Sequence, residues 1–441
     1  MLTLSARSRR GRADSSRETA VRSSIYLHIG EPKTGTTFLQ QAMWSNCARL
    51  ASQGVVLPGY SHRDHSRASR DLREAPRLAD DPADSWAGEW DVLSRQALRA
   101  GGAAVISDEV LAACNPPQAD RAIRSLLPAD VQVVLTVRDI ASLLPAEWQE
   151  TVKCRGTIPW EQWLAGVIGS APAADRRRRS WFWTVHDTLA ILQMWSRHIP
   201  PDHVHVITVP REGPTDALWA RFASVLGIDS GSIDVPPTRV NCSLGLAEAE
   251  FWRRMNEALP DGMPEWFYTR NIKHILTQNV LSARPPQSRP ALPPAEQAWA
   301  AEQSEILVSA LRDSKCHIVG DLRDLLSPPV GGRNAAPARP PAGQQLDAAV
   351  RAAAALACGQ QYGESRPAMR QPQAPRGARQ RASKLEWAVL NGTWTRRVLR
   401  NASHLAAVRH LRVQIWCMLM HPARHSLSRA PVDDLGTGID P

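Results

Sequence analysis

One stretch of the sequence, residues 25–40, constrains the fold of this chain more than any other, and it reads IYLHIGEPKTGTTFLQ. The short apolar run from Ile25 to Ile29 has the length and composition of a buried strand. A polar loop bounded by Gly30 and Gly35 follows, and beyond it apolar residues recur at helical spacing. The stretch therefore predicts a strand, a tight loop and a helix in immediate succession.

The predicted loop has the properties of an anion-binding site. The backbone N–H groups at the start of a helix are open to an anion, and the helix dipole favours negative charge there. Lys33 adds a full positive charge, and it is one of only five lysines in the chain. The glycine spacing matches the nucleotide-binding pattern G-x-x-x-x-G-K-[ST], but Thr36 stands where that pattern has lysine. The loop is thus P-loop-like, with its lysine displaced towards the strand.

Composition limits the class of protein. With 441 residues, of which 43% are hydrophobic, the chain is long enough for one large domain with appendages or for two domains. Its seven cysteines include no C-x-x-C pair, which argues against a zinc site and a disulfide scaffold. No apolar run is long enough for a membrane span, and the N-terminus lacks the apolar segment of a secretory signal. These features favour a cytoplasmic protein.

The net charge of +10 is unevenly distributed along the chain. Residues 1–24 carry a net charge of +4 and residues 366–430 a net charge of +12, whereas residues 431–441 carry −3. Residues 25–365 therefore carry a net charge of −3. Because nucleic-acid-binding domains are more often basic, the sequence predicts no nucleic-acid partner.

Short apolar runs alternate with helical segments as far as about residue 325, which is typical of an α/β fold with helices on both faces of a mainly parallel sheet. The predicted strands are 25–29, 55–58, 103–109, 131–137 and 203–209. Ligands of such sheets bind beyond the carboxyl ends of the strands. Three polar segments that follow strands are therefore candidates for one site: the loop at 30–37, Ser107-Asp108-Glu109 and Arg138-Asp139.

The chain divides into five predicted segments. They are a disordered basic arm (1–24), an α/β domain (25–327), a Pro- and Ala-rich linker (328–383), a basic amphipathic helix (384–425) and a tail (426–441). Apolar residues recur every three or four positions in the fourth segment, and arginines fill much of its other face. Two interpretations of this helix stay open, contact with an anionic membrane surface and docking on the body or on a second chain.

The PKTGTT sequence of the loop resembles the 5′-phosphosulfate loop of sulfotransferases that use 3′-phosphoadenosine 5′-phosphosulfate (PAPS) as donor. The segment VVLTVRD is similar to the strand with which this family binds the 3′-phosphate of the donor. Other segments stand in the order of a bacterial sulfotransferase-like subgroup: VISDEVLA, LTVRDIASLLPAEWQE, HVHVITVP, LWARFASVLG and NCSLGLAEAE. The resemblance covers about residues 25–325 and implies a P-loop-like three-layer fold that transfers a sulfuryl group without a metal.

The resemblance also implies which residues bind the donor. Those of the loop are Gly30, Lys33, Thr34, Gly35, Thr36 and Thr37. Arg138 matches the arginine that binds the 3′-phosphate, a task suited to a guanidinium because it offers two parallel donors and stays charged. The family usually has a serine eight residues later, where this chain has Ala146. Ser142, one helical turn after Arg138, is the alternative second contact.

Sulfuryl transfer requires two further catalytic groups. We expect Lys33 to stabilise the leaving oxygen, and a hydroxyl acceptor also needs a general base. Glu109 is the first candidate for the base, although a carboxylate there equally suits a helix N-terminus. His28 is the second candidate, although such a histidine is more often buried and hydrogen-bonded. Glu31 and His186 are weaker candidates.

The sequence therefore predicts a PAPS-dependent sulfotransferase acting on a hydroxyl or amine of a small-molecule, lipid or glycan acceptor. Two alternatives stay open. One is a kinase-like nucleoside-triphosphate enzyme in which Asp139 ends a Walker B-like strand, and the other is a nucleotide-binding protein without transfer activity. Acceptor specificity is expected in the segments 60–84 and 155–185, but no motif identifies the acceptor or the oligomeric state.

Overall fold

The computed structural model describes residues 23–75, 86–169, 180–235, 244–276, 290–327 and 340–362. Six strands of these ranges form one sheet: β1 (Ser24–His28), β2 (Val55–Val56), β3 (Ala103–Ser107), β4 (Asp130–Val137), β5 (Val204–Thr208) and β6 (His317–Val319). The strands lie in the order β2-β3-β1-β4-β5-β6, and every neighbouring pair is parallel.

The sheet is buried on both faces. Leu27 of β1 lies beside Ile106 of β3 and Val133 of β4, and all three side chains are buried. Parallel strands covered on both faces carry apolar side chains continuously rather than alternately. In β4, with the sequence DVQVVLTV, every residue after Asp130 is buried.

Helices connect the strands and cover the sheet. They are α1 (Thr36–Ser45), α2 (Cys47–Ser52), α3 (His62–Leu72), α4 (Glu89–Leu98), α5 (Pro116–Leu126), α6 (Ile140–Lys153), α7 (Trp160–Ile168), α8 (Trp181–His186), α9 (Thr188–Trp195), α10 (Ala217–Leu226), α11 (Leu246–Ala258), α12 (Glu265–Tyr268), α13 (Pro294–Asp313) and α14 (Ala342–Tyr362). A 3₁₀ turn, Glu109–Ala113, follows β3, and a π-helical turn, Thr269–Lys273, continues α12.

The helices form a layer on each face of the sheet. On one face, α4, α5, α9 and α13 pack against Leu27, Val133 and Leu135. On the other face, α1 and α10 pack against Val134 and Ile207. Successive residues of β4 thus face helices on opposite sides of the sheet, which confirms the predicted α/β fold with a parallel sheet between helices.

A third hydrophobic cluster lies among helices that extend the fold beyond the sheet. We call α6, α7, α8, α11, α12 and α14 the helical layer. Its core is aromatic, with Trp148, Trp160, Phe182, Trp252 and Tyr268 buried together. The Trp252 Nε1–H donates to Tyr268 Oη at 2.9 Å, so the one polar end of each ring is satisfied inside the core.

The structure differs from the predicted linker over 328–383. Residues 340–352 belong to the body, because α14 packs on α11 and Ala348 and Ala352 are buried. Alanine is the best helix former and its small side chain permits close helix contact. The Ala-rich period was visible in the sequence, but its partner surface was not.

The segment 60–84, one of the two in which acceptor specificity is expected, contains α3. Ser61 and Asp64 form a capping box at its start, and Ala68 and Leu72 bury its inner face. Asp187 separates α8 from α9 and caps α9 by accepting a hydrogen bond from the Ala190 N–H.

The basic helix predicted at 384–425, the tail, and residues 1–22 of the arm lie outside the described residues. Among the helices that the structure describes, none has the length and apolarity needed to cross a membrane.

Candidate functional site

The three polar segments predicted to form one site lie together at the carboxyl edge of the sheet. They follow β3, β1 and β4, which are neighbours in that order. The Glu31 N–H donates to Thr136 O at 2.8 Å, and the Asp108 N–H donates to His28 O at 3.1 Å. Gly30 lies so close to the backbone of Glu109 that an added Cβ would lie 2.8 Å from Glu109 O. The loop is therefore held between the ends of both neighbouring strands.

The backbone of the loop turns sharply at three positions. Gly30, Lys33 and Gly35 have positive φ angles of 108°, 60° and 86°. An added Cβ at Gly35 would also force the end of the Leu218 side chain of α10 to shift, and the positive φ angle itself favours glycine at this position. The N-cap residue of α1 is Gly35, which has no side chain with which to cap the helix. The first-turn N–H groups of α1 therefore keep the orientation that suits an anion.

A buried ionic network fixes the loop to the neighbouring helices. Glu31 is fully buried and accepts a hydrogen bond of 2.6 Å from Thr188 Oγ1. Its other carboxylate oxygen lies 3.2 Å from His186 Nδ1. The opposite ring nitrogen, Nε2, lies 3.6 Å from Glu147 Oε2, which makes an ion pair rather than a hydrogen bond. We call Glu31, His186, Glu147 and Thr188 the buried network.

The buried network holds an imidazolium between two carboxylates. Burial alone would lower the pKa of His186, but Glu147 and Glu31 outweigh burial and raise that pKa to about 9. Burial would likewise raise the pKa of Glu147, and His186 holds it below its usual value. Each charge thus depends on its neighbour, and the network ties the loop to α6, α8 and α9.

Lys33 lies on the more open side of the loop and pairs with α6. Its Nζ lies 2.7 Å from Glu150 Oε2. Lys273 Nζ lies 2.9 Å from Glu150 Oε1, and Lys153 Nζ lies 3.7 Å from Oε2. We call these four residues the lysine cluster. It gathers three of the five lysines of the chain around one carboxylate.

Glu109 lies at the other side of the loop, at the start of the 3₁₀ turn, and is half-buried. Its Oε2 accepts a hydrogen bond of 2.9 Å from Gln40 Nε2 of α1. Gln40 Nε2 also lies 3.3 Å from Ser107 Oγ, which lies 2.8 Å from His28 Nδ1. A chain of hydrogen bonds therefore links the two predicted base candidates, Glu109 and His28.

The positions of His28 and Thr34 give no support to the roles predicted for them. His28 is fully buried, and burial lowers its pKa to about 3. The Thr34 hydroxyl is also buried and donates to Glu31 O at 2.5 Å. Both side chains are buried and support the conformation of the loop through hydrogen bonds inside the protein. Of the remaining loop threonines, Thr36 is buried and Thr37 is exposed.

Arg138 follows β4 with 39% of its side chain exposed, and its Nε lies 3.9 Å from Asp139 Oδ2. Asp139 is buried and caps α6 by accepting from the Ser142 N–H at 2.9 Å. Ser142 lies one helical turn further on and is half-buried. Arg138 also lines a cavity between α6, α9 and α13, together with His186, Thr188 and Ser304.

Asp108, at the end of β3, is a buried acid whose pKa is shifted. Burial and the charge of Glu109 raise its pKa to about 6, and its side chain accepts from the Val110 N–H. His62, Asp108 and Glu109 place three candidate ligand atoms within 4.8 Å of one another. Asp108 is already engaged in capping, and such a group alone does not define a metal site.

Sequence reasoning missed most partners of the loop. Glu150, Lys153 and Lys273 were not singled out, and Glu31 and His186 received little weight. One signal was available: Glu147 and Glu150 stand three residues apart in the segment that follows the predicted strand 131–137, and on a helix this spacing places two carboxylates on one face.

No family model, curated protein or solved structure matches this chain.

Proposed function

We propose that this protein is a PAPS-dependent sulfotransferase. The observation that carries the proposal is the loop from Gly30 to Gly35, which joins the central strand to an uncapped helix and contains Lys33. A second cation, Arg138, follows the adjacent strand β4. A loop for one anionic group and a guanidinium for another suit a nucleotide with phosphates at both the 5′ and 3′ positions.

In this proposal the donor lies along the carboxyl edge. The 5′-phosphate accepts hydrogen bonds from the first-turn N–H groups of α1 and from the exposed hydroxyl of Thr37. Arg138 binds the 3′-phosphate, and Ser142 supplies the second contact that Ala146 cannot make. Thr34 supports the loop through its hydrogen bond to Glu31 O instead of touching the donor.

The transfer step moves one sulfuryl group. The acceptor oxygen or nitrogen attacks sulfur, and the bond between sulfur and the 5′-phosphate oxygen breaks. The electron pair of that bond stays on the phosphate oxygen, where the Lys33 ammonium stabilises the developing charge. The proton of the acceptor passes to the base, and 3′-phosphoadenosine 5′-phosphate (PAP) leaves.

Glu109 suits the role of base better than His28. It is half-buried rather than fully buried, and it adjoins Gly30 at the mouth of the loop. Gln40 orients its carboxylate through the 2.9 Å hydrogen bond. His28 acts in this proposal as a positioning residue, since its hydrogen bond holds Ser107 beneath Gln40.

Titration of the purified protein with PAP and, separately, with Mg-ATP tests the donor class. We expect PAP to bind more tightly and sulfuryl transfer from PAPS to occur on a panel of phenols, amines and sugars. Preference for Mg-ATP would overturn the proposal. Tight PAP binding without transfer to any acceptor would favour the alternative of a nucleotide-binding protein without activity.

The kinase-like alternative finds less support at β4. A Walker B aspartate must reach a magnesium ion at the phosphates. Asp139 is instead 3% exposed, and its carboxylate is bound to the Ser142 N–H at the start of α6.

A further inference from the structure

The lysine cluster carries more positive charge than its one carboxylate balances. Lys33, Lys153 and Lys273 surround Glu150, and their side chains are only 17–29% exposed. The nearby carboxylate of Glu147 is engaged with His186. Crowding like charges in a partly buried place costs free energy unless an anion joins them. Burial, together with the charges of Lys33 and Lys273, lowers the pKa of Lys153.

The Glu150 carboxylate occupies the cluster in the way a bound oxyanion would. One oxygen faces Lys33 and Lys153, and the other faces Lys273. Burial would raise the pKa of Glu150, but the three ammonium groups hold it well below the usual range. The side chain is flexible and 28% exposed, so it can move aside when another oxyanion arrives.

The lysine cluster lies where the second substrate, the acceptor, would approach the donor. Lys33 belongs to the loop, whereas Lys153 ends α6 and Lys273 lies in the π-helical turn of the helical layer. The cluster therefore joins the loop to the helical layer, on the side away from Glu109 and β3. An acceptor lying over Lys33 would extend onto Lys153 and Lys273.

We propose that the lysine cluster binds an oxyanion group of the acceptor, which displaces the Glu150 carboxylate. This inference rests on the proposed function. It narrows the acceptor to a molecule that already carries a sulfate, phosphate or carboxylate group beside the hydroxyl or amine to be modified. Lys33 serves the donor, and Lys153 and Lys273 hold the acceptor.

Calorimetric titration of the full chain with sodium sulfate, at constant ionic strength and with saturating PAP, tests the site. We expect Glu150→Gln to bind sulfate about tenfold more tightly than the unmodified protein, because the competing carboxylate is gone. We expect the double variant Lys153→Gln, Lys273→Gln to bind it at least about tenfold more weakly. Lys315→Gln is the matched control, since Lys315 is exposed just before β6, at the opposite edge of the sheet.

Equal sulfate affinity in all four proteins would overturn the inference. The titration is then repeated with PAPS in place of PAP. Sulfate binding that survives PAP but disappears with PAPS would assign the cluster to the transferred sulfuryl group and overturn the acceptor assignment. Failure of PAP to bind would refute the proposed function alone, because the same four proteins are then compared by sulfate titration without nucleotide, which tests the lysine cluster by itself.

Discussion

Two carboxylates one helical turn apart on α6 meet opposite surroundings. Glu147 is 4% exposed and faces His186, which is fully buried. Glu150 is 28% exposed and faces three lysines. Both side chains connect α6 to the same loop, Glu147 through His186 and Glu31, and Glu150 through Lys33. The contact of Glu147 with His186 is part of the structure that holds the loop, whereas the contact of Glu150 with Lys33 is one that a ligand can replace.

The physical difference is the cost of leaving a charge alone. Removing one partner from a buried ion pair leaves a charge with neither water nor a counterion, so the buried network cannot exchange partners. Partly exposed pairs contribute little to stability because water and salt screen them. The lysine cluster can therefore release Glu150 to a ligand at small cost, while Glu31 stays bound.

The largest expected effect tests the buried network. Replacing His186 by Gln leaves two buried carboxylates, and we expect a loss of about 3–5 kcal/mol in the free energy of unfolding, measured in urea. Glu150→Gln is the matched variant in the lysine cluster, with an expected change of about 0–1 kcal/mol. Equal losses would show that the two carboxylates do not differ as described. If the His186 variant fails to fold, Thr188→Val removes only the 2.6 Å hydrogen bond to Glu31.

Lys33→Ala tests whether Lys33 of the lysine cluster contributes to catalysis rather than to stability. Removing a group that stabilises transition-state charge costs about 10²–10³-fold in rate, and we expect that loss in PAP release from PAPS. The free energy of unfolding should change little, because Lys33 is 26% exposed. Lys315→Ala controls for loss of positive charge. Undiminished turnover would refute the role assigned to Lys33.

Arg138→Ala is expected to weaken PAP binding about 10- to 100-fold, since a hydrogen bond to a charged group contributes about 1.5–3 kcal/mol. The transfer rate at saturating donor should change less than the affinity does. Arg138→Lys should restore only part of the affinity, because an ammonium cannot make the bidentate contact. An unchanged affinity for PAP in the alanine variant would place the 3′-phosphate elsewhere.

The last expected effect is a pH dependence of stability set by the buried network. The pKa of His186 is raised from 6.5 to about 9, so its contribution is complete below pH 6.5 and is lost as pH rises through about 9. The pKa of Glu147 is lowered, so its contribution is present above its ordinary value and is lost as pH falls. Urea midpoints measured from pH 6 to pH 10 should decline on the alkaline side. His186→Gln should remove that decline, and a persistent decline would assign it to another group.

The fold was predictable because its signals are local. The strands of a parallel sheet buried on both faces appear as short apolar runs, and Gly30 and Gly35 mark the loop. The meeting of the three polar segments also follows from one principle, since segments that follow parallel strands collect at one edge of the sheet. The short β6 carries too little apolar sequence to be recognised as a strand.

The partners of the loop were not predictable because they are distant in sequence. Lys33 and Glu150 are separated by 117 positions, and the local spacing of apolar and polar residues does not predict a contact between positions so far apart. His28 illustrates a different limit. Its side chain points to the face that α1 and α10 cover, where it packs 5.1 Å from the ring of Phe222. The strand pattern alone did not show how deeply that face is buried.

The pairing of β1 with β4 has a consequence for how the chain folds. Ser24 pairs with Asp130, and Glu31 binds Thr188 across 157 positions. Loops closed over such separations form late and slow the folding of a domain. The most recognisable motif of the chain therefore acquires its shape only after the polypeptide has been made to beyond residue 188. A fragment that contains the whole motif but ends at residue 75 should show neither the loop conformation nor affinity for PAP.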